Sequence, residues 1–359
     1  MFPKISASVI IRLLLKAGLV AFLLYLLYTQ TLGVPDGKRL LSQWLDQLNS
    51  PRWPWLFLVI LLLPFNWALE ALKWKKLMQP FWEIPFGLSF KAILCGVSLS
   101  VITPNRIGEY GGRILAVPAK YNWHAAMATG VGSFSQILIL LSGGLLGLMF
   151  FLDLNYSFSR LPLLSLWIIS SLALASLFFF FFRIDLLLVL LQYVPFPSWL
   201  KSRLESLKTI GQYPHAILKQ ALALAFLRYL VYSFQYFFIL KFFAIGVPAA
   251  AAFSGIATIF LVQTSVPLPP LAAVLARGEI ALQVWGNYAE NEWQILAAVF
   301  ALFIINLAIP ALLGVLFIVK INILKSLGYE KESVDKKPFH RIVDVPHGLH
   351  LSRKDNASS

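Results

Sequence analysis

Charge is scarce in this chain. Only 13% of its 359 residues are Asp, Glu, Lys or Arg, against roughly a quarter in soluble domains. Acidic residues are scarcest, 16 against 30 Lys and Arg, and cysteine occurs once. A single cysteine excludes an intrachain disulfide, and Cys95, inside an apolar run, reads as a small packed residue. There are five histidines, and the three in the tail (His340, His347 and His350) form no defined metal-ligand pattern. His-Glu-x-x-His, Gly-x-Ser-x-Gly, phosphate-loop and dinucleotide fingerprints are all missing. The sequence therefore gives no expectation of a cofactor, a metal or an enzyme's catalytic machinery.

Apolar sequence fills the space that charge leaves. Hydrophobic residues make up 59% of the chain, and the mean hydropathy is +0.76. This is the composition of an all-α polytopic membrane protein. A net charge of +14 would suggest nucleic acid in a soluble chain. Here the basic residues border apolar runs, where positive-inside topology and anionic headgroups explain them. Nucleic acid is not expected as a partner.

A bilayer-crossing helix needs about 20 mostly apolar residues. Six stretches qualify: 9–28, 53–72, 124–151, 162–182, 215–245 and 293–319. The first carries Lys4, Arg12 and Lys16 around it and no convincing cleavage site, so it reads as an uncleaved span. Two further stretches are short or interrupted. One is 88–103; the other is 249–285, broken by Pro267, Pro269 and Pro270 and carrying Arg277 and Glu279. Basic residues after 72, after 182 and after 320 place those segments in the cytoplasm, and both termini with them. The sparse connections at 152–161 and 286–292 then lie outside, as does 29–52. For these sides to agree, 88–123 must be a re-entrant helical hairpin from the cytoplasm and 249–292 one from outside. The reading is thus about six full spans plus two re-entrant hairpins, in inverted-topology halves at about 53–151 and 215–320. Residues 1–320 form the integral membrane domain, and 321–359 form a polar cytoplasmic tail. Apolar stripes at Leu40, Leu41, Trp44, Leu45 and Leu48, and at Leu200, Leu204 and Leu207, predict amphipathic interfacial helices.

The densest chemistry lies at Thr103-Pro-Asn-Arg-Ile-Gly-Glu-Tyr-Gly-Gly-Arg113, between two apolar stretches. If it turns helical after Pro104, Arg106, Glu109 and Arg113 share one face, and Gly108, Gly111 and Gly112 gather on another side. Charges at membrane depth are costly unless paired or wetted, so the segment is a functional-site candidate. The alternative is a solvated loop or a fastening salt bridge.

The Thr-Pro-Asn-Arg-Ile-Gly-Glu run resembles the signature of the lysylphosphatidylglycerol synthase transmembrane family, which includes the flippase half of the bacterial multiple peptide resistance factor. Glu-Ala-Leu-Lys-Trp at 70–74 is similar to that family's basic-Trp pair at the end of an early span. The resemblance spans roughly 10 to 320. In the second half the family shows a glycine-rich, proline-bounded turn before a glutamate; here the run from Pro267 to Glu279 keeps prolines and glutamate but few glycines. About forty residues follow the spans, too few for that family's aminoacyltransferase domain. The resemblance implies a flippase-like domain in a bacterial cell (inner) membrane, acting on an anionic or aminoacylated phospholipid or related lipid.

Candidate substrate-binding residues follow from charge and depth. Arg106 and Arg113 can grip a phosphodiester bidentately, with Glu109 orienting them or meeting a cationic headgroup. Arg277 and Glu279 are their counterparts in the second half, or else an exposed pair. Arg228 sits well inside an apolar span with Tyr232 and Gln235 at i+4 and i+7, so it should face a cavity or a partner. Glu70 is expected to pair with Lys73 or Lys75 at the interface, and Gln136, Gln263 and Asn306 to bond between helices. The expected function is lipid translocation between leaflets. The alternatives are a membrane-embedded transferase acting on a lipid-linked substrate and a non-transporting partner subunit. The sequence leaves homo-oligomerisation open.

Overall fold

The computed structural model describes residues 37–101, 103, 106–155, 160–186, 213–265, 270–321 and 326, with six further positions between 18 and 29. Most of the expected span 9–28, the stripe at 200–208, Pro104, Asn105, Pro267, Pro269 and nearly all of the tail lie outside these residues. Among the described residues the chain is all-helical, with no strand. The helices are α1 (Gly37–Leu48), α2 (Trp53–Met78), α3 (Phe86–Ser100), α4 (Gly108–Leu115), α5 (Asn122–Asn155), α6 (Arg160–Phe182), α7 (His215–Phe242), α8 (Ala249–Ser265), α9 (Pro270–Trp285), α10 (Glu292–Phe303) and α11 (Ile309–Lys320). One π turn, Ile304–Ala308, joins α10 to α11.

Five helical stretches are long and apolar enough to cross a membrane: Trp53–Met78, Ala119–Leu154, Leu164–Phe182, His215–Phe242 and Glu292–Lys320. They coincide with five of the six expected spans. Local chemistry sets their ends. Pro54 sits in the first turn of α2, where a missing N–H costs nothing. Asn291 caps α10, its Oδ1 accepting from the Gln294 N–H at 3.1 Å. Beyond α7 the chain turns at Ala244, which has a left-handed φ of 61°. The 15-residue α3 and 17-residue α8 are apolar but short, about 22 and 25 Å against a hydrocarbon core of about 30 Å. The predicted stripe from Leu40 to Leu48 does form a helix, α1, which packs on α10.

The packing keeps its pattern when the two halves are exchanged. The first long helix of each half, α2 and α7, make the most extensive contact in the molecule. The arm α3 packs on α11 of the other half, and α8 correspondingly on α5. Within the halves, α3 pairs with α4 and α8 with α9, while α4 rests on α5 and α9 on α10. Small residues permit these approaches. Gly112 of α4 lies against the Cys95 carbonyl of α3, Gly314 of α11 against the Leu94 carbonyl of α3, and Gly144 of α5 against Leu261 of α8.

Two apolar cores result. One gathers Tyr236, Phe242, Ile256, Trp285 and Phe300; the other gathers Trp74, Met78, Ile93, Leu138 and Phe181. Helices α2 and α7 run through both: Leu56 and Val59 lie in the first core and Trp67 to Met78 in the second, whereas Leu218 and Tyr236 lie the other way round. Polar side chains collect where the cores meet. Large apolar side chains such as Phe57, Phe65, Ile169, Leu172 and Leu316 cover the outside.

Candidate functional site

Glu70 is the hub of the interior charge network. Its side chain is buried, and it pairs with three cations: Lys73 Nζ at 2.8 Å, Arg113 Nη2 at 3.0 Å and Arg228 Nη1 at 3.2 Å. Those cations come from α2, α4 and α7, so one carboxylate ties the first half to the second. Arg113 also donates to Glu109 Oε2 at 3.1 Å, and Arg106 pairs with the other oxygen of Glu109. The site residues read from the first hairpin and from α7 therefore form a single connected set.

Neutral amides extend the set across the molecule. Arg228 Nε donates to Asn66 Oδ1 at 2.9 Å, and Asn66 Nδ2 donates to Asn306 Oδ1 at 3.1 Å. Asn306 sits in the π turn, an irregularity common at functional positions. Gln136 of α5 accepts from both Lys73 and Arg228, at 3.5 and 3.4 Å. Gln235 Nε2 donates to the Val59 carbonyl, one turn before Pro64 breaks the α2 ladder. Aromatic faces complete the cation sites: Arg228 lies 5.2 Å from the Trp67 ring centroid and Arg113 6.0 Å from that of Trp74. Asn66, Arg228 and Asn306 lie near the midpoints of their long helices, the most costly depth for charge in a bilayer.

Two expectations change here. Lys73 is not a charge in a cytoplasmic connection. Helix α2 continues to Met78, so Lys73 is 1% exposed and held by Glu70. By the same extension Glu70 belongs to the interior and not to the interface. The helix of the first motif, α4, starts at Gly108, and Arg106 precedes it with a φ of 60°. A left-handed non-glycine residue costs about 1–3 kcal/mol and recurs at functional sites. The Gly108 N–H donates to Thr103 Oγ1 at 2.6 Å, which closes the turn around Arg106. Half exposed, with 55% of its side chain accessible, Arg106 is the open end of the network.

The second hairpin contributes unequally. Arg277 on α9 is within electrostatic reach of Arg106 and of the Tyr232 and Tyr236 hydroxyls on α7, and it has no ion pair among the described residues. Glu279 stands apart, exposed, with Gln283 Nε2 donating to it at 3.4 Å. Four cations (Lys73, Arg106, Arg113 and Arg228) thus share two carboxylates, Glu70 and Glu109, and Arg277 adds a fifth positive charge without an ion pair among the described residues. Sequence reasoning missed the central part of Glu70, Lys73 and Asn66. Their i, i+4, i+7 spacing as a polar stripe on an apolar helix was the available signal. No group of three or more His, Cys, Asp or Glu side chains suited to a metal occurs among the described residues. No family model, no curated protein and no solved structure matches the chain.

Proposed function

We propose that this chain is a lipid translocase that moves an anionic phospholipid or related lipid between leaflets of a bacterial cytoplasmic membrane. The observation that carries the reading is the excess of buried and half-buried cations over carboxylates in the interior, with Arg228 near the midpoint of its long helix. Structural ion pairs alone need no surplus, and an uncompensated interior cation is strongly unfavourable, so the surplus calls for an anion that comes and goes. A phosphate headgroup suits arginine forks. An apolar groove of about 510 Å³ between α2 and α7, lined by Leu62, Phe65, Leu69, Leu227, Leu230 and Phe234, lies on the same helix pair as the network. It would seat an acyl chain while the headgroup occupies the polar interior.

On this reading α3–α4 and α8–α9 are re-entrant hairpins entering from opposite faces, and both termini are cytoplasmic. The short arms and the exchange-invariant packing support that arrangement. Alternating movement of the two halves around Glu70 would open the network to each leaflet in turn. The movement would be passive or driven by a gradient. The signature run from Thr103 to Glu109 favours the lysylphosphatidylglycerol synthase transmembrane family as the source of this architecture.

The test is leaflet exchange of a fluorescent phosphatidylglycerol in proteoliposomes. The wild-type protein should accelerate exchange over protein-free vesicles. Arg106→Gln, which alters a half-exposed residue, should cut the rate about ten- to a hundredfold, as expected from loss of a charge-assisted contact of about 1.5–3 kcal/mol. Chemical conversion of the lipid would instead mark a transferase. No exchange and no product would leave a partner subunit and end the translocase reading.

A further inference from the structure

Charge counting within the site narrows the headgroup. Glu70 is shared by Lys73, Arg113 and Arg228, and Glu109 by Arg106 and Arg113, so both carboxylates are oversubscribed. Arg277 adds a fifth positive charge with no carboxylate of its own among the described residues, and it lies within electrostatic reach of Arg106. Against two carboxylates the set is in excess by three positive charges. A headgroup with one negative charge would leave the interior strongly cationic, and a zwitterionic one would leave it unchanged. A dianion brings it close to balance, because Arg106 at the open end remains hydrated.

Hydrogen-bond capacity on the Arg277 side agrees with this. The Tyr236 hydroxyl accepts from Trp285 Nε1 at 3.3 Å, which leaves its own proton to donate. Tyr232, stacked on Phe260 at 5.0 Å between centroids, is within electrostatic reach of Arg277 as well. A guanidinium with two phenols is a set of donors for several anionic oxygens at once, the demand of a phosphomonoester or a pyrophosphate.

Building on the translocase reading, we infer that the site selects a dianionic phosphate headgroup (a phosphomonoester or pyrophosphate-linked lipid) clamped between Arg106 and Arg277. Arg277 is then the residue that sets selectivity for the second charge. It is spare for a monoanion, which Arg106 and its neighbours can hold.

The experiment compares lipids differing by one charge on the same phosphate, in nanodiscs at about pH 8, where a phosphomonoester with a second pKa of about 6 is dianionic. Phosphatidate carries two charges, phosphatidylmethanol one, and phosphatidylcholine none in sum. Phosphatidate should bind about tenfold tighter than phosphatidylmethanol, the ratio that a difference of about 1.4 kcal/mol produces. Arg277→Gln should weaken phosphatidate more than phosphatidylmethanol and so remove most of that ratio, while Arg277→Lys should restore part of it. An unchanged thermal unfolding profile of Arg277→Lys controls for folding. Competition by inorganic pyrophosphate or glycerol 3-phosphate as strong as by phosphatidate would assign the dianion to a soluble solute, and so overturn the lipid-headgroup inference. Equal binding of phosphatidate and phosphatidylmethanol would overturn dianion selection while leaving lipid translocation standing. Absence of binding by all three lipids would remove the translocase reading itself.

Discussion

At the scale of residues, the network is asymmetric in its dependence on its members. Glu70 neutralises three side chains, whereas each cation answers to one or two carboxylates. Removing one partner of a buried pair costs about 3–5 kcal/mol, because the other charge is left uncompensated. Glu70→Gln should therefore destabilise the protein by about that amount. Arg228→Gln leaves Lys73 and Arg113 on Glu70 and keeps an amide near Asn66, so about 1–2 kcal/mol is expected. Thermal unfolding in nanodiscs gives the comparison, and equal losses would show that Glu70 is not the hub. The depth of Glu70 could not be read from its neighbours. Followed by Lys73, Lys75 and Lys76 it looks like a headgroup-level residue, and only the continuation of α2 to Met78 carries it inward. Arg228 was legible because apolar residues extend far on either side of it, which rules out snorkelling.

At the scale of elements, the long helices follow directly from hydropathy, since length and composition alone demand them. The hairpin arms do not. Phe86–Ser100 and Gly108–Leu115 form two packed helices because α3 and α4 press together through small residues, a tertiary fact with no signature in a one-dimensional window. The π turn at Asn306 is equally silent in the sequence. The glycines permit a sharp comparison within a single helix. A Cβ at Gly112 would run into the Cys95 carbonyl, whereas at Gly111 it would meet only Leu99 Cδ1 at 3.8 Å. Gly112→Ala should thus cost about 1–3 kcal/mol by forcing α4 off α3. Gly111→Ala should be neutral or stabilise by about 0.5–1 kcal/mol through helix propensity. Differential scanning fluorimetry of the two variants decides the matter. Similar melting temperatures would mean that the hairpin arms are not packed backbone to backbone.

At the scale of the whole molecule, the exchange of packing partners between halves has a mechanical consequence. Because α3 rests on the other half's α11 and α8 on the other half's α5, neither hairpin can move as part of its own half alone. Glu70 and Arg228 then form the joint where α2 and α7 cross, and any rocking of the halves must rearrange that pair. This requires α2 and α7 to run in opposite directions through the membrane, which the positive-inside pattern supplies: Lys75 and Lys76 end α2, and His215 with Lys219 opens α7. Single cysteines introduced into a Cys95→Ser background test it with a membrane-impermeant maleimide. Gln79, Glu83 and Arg183 are accessible positions expected on the cytoplasmic side, and Asp153 and Asn287 are accessible positions expected outside. Labelling from outside should therefore modify Asp153→Cys and Asn287→Cys in intact cells, and the other three only after permeabilisation. The decisive position is Asn287, at the turn between α9 and α10. If it labelled with Gln79 and Glu83, the segment between α7 and α10 would cross the membrane an odd number of times. The second hairpin would then be a true crossing, α10–α11 would run parallel to α7, and the second half would no longer be the inverse of the first, with no opposed hairpins to bring Arg106 and Arg277 together from opposite faces.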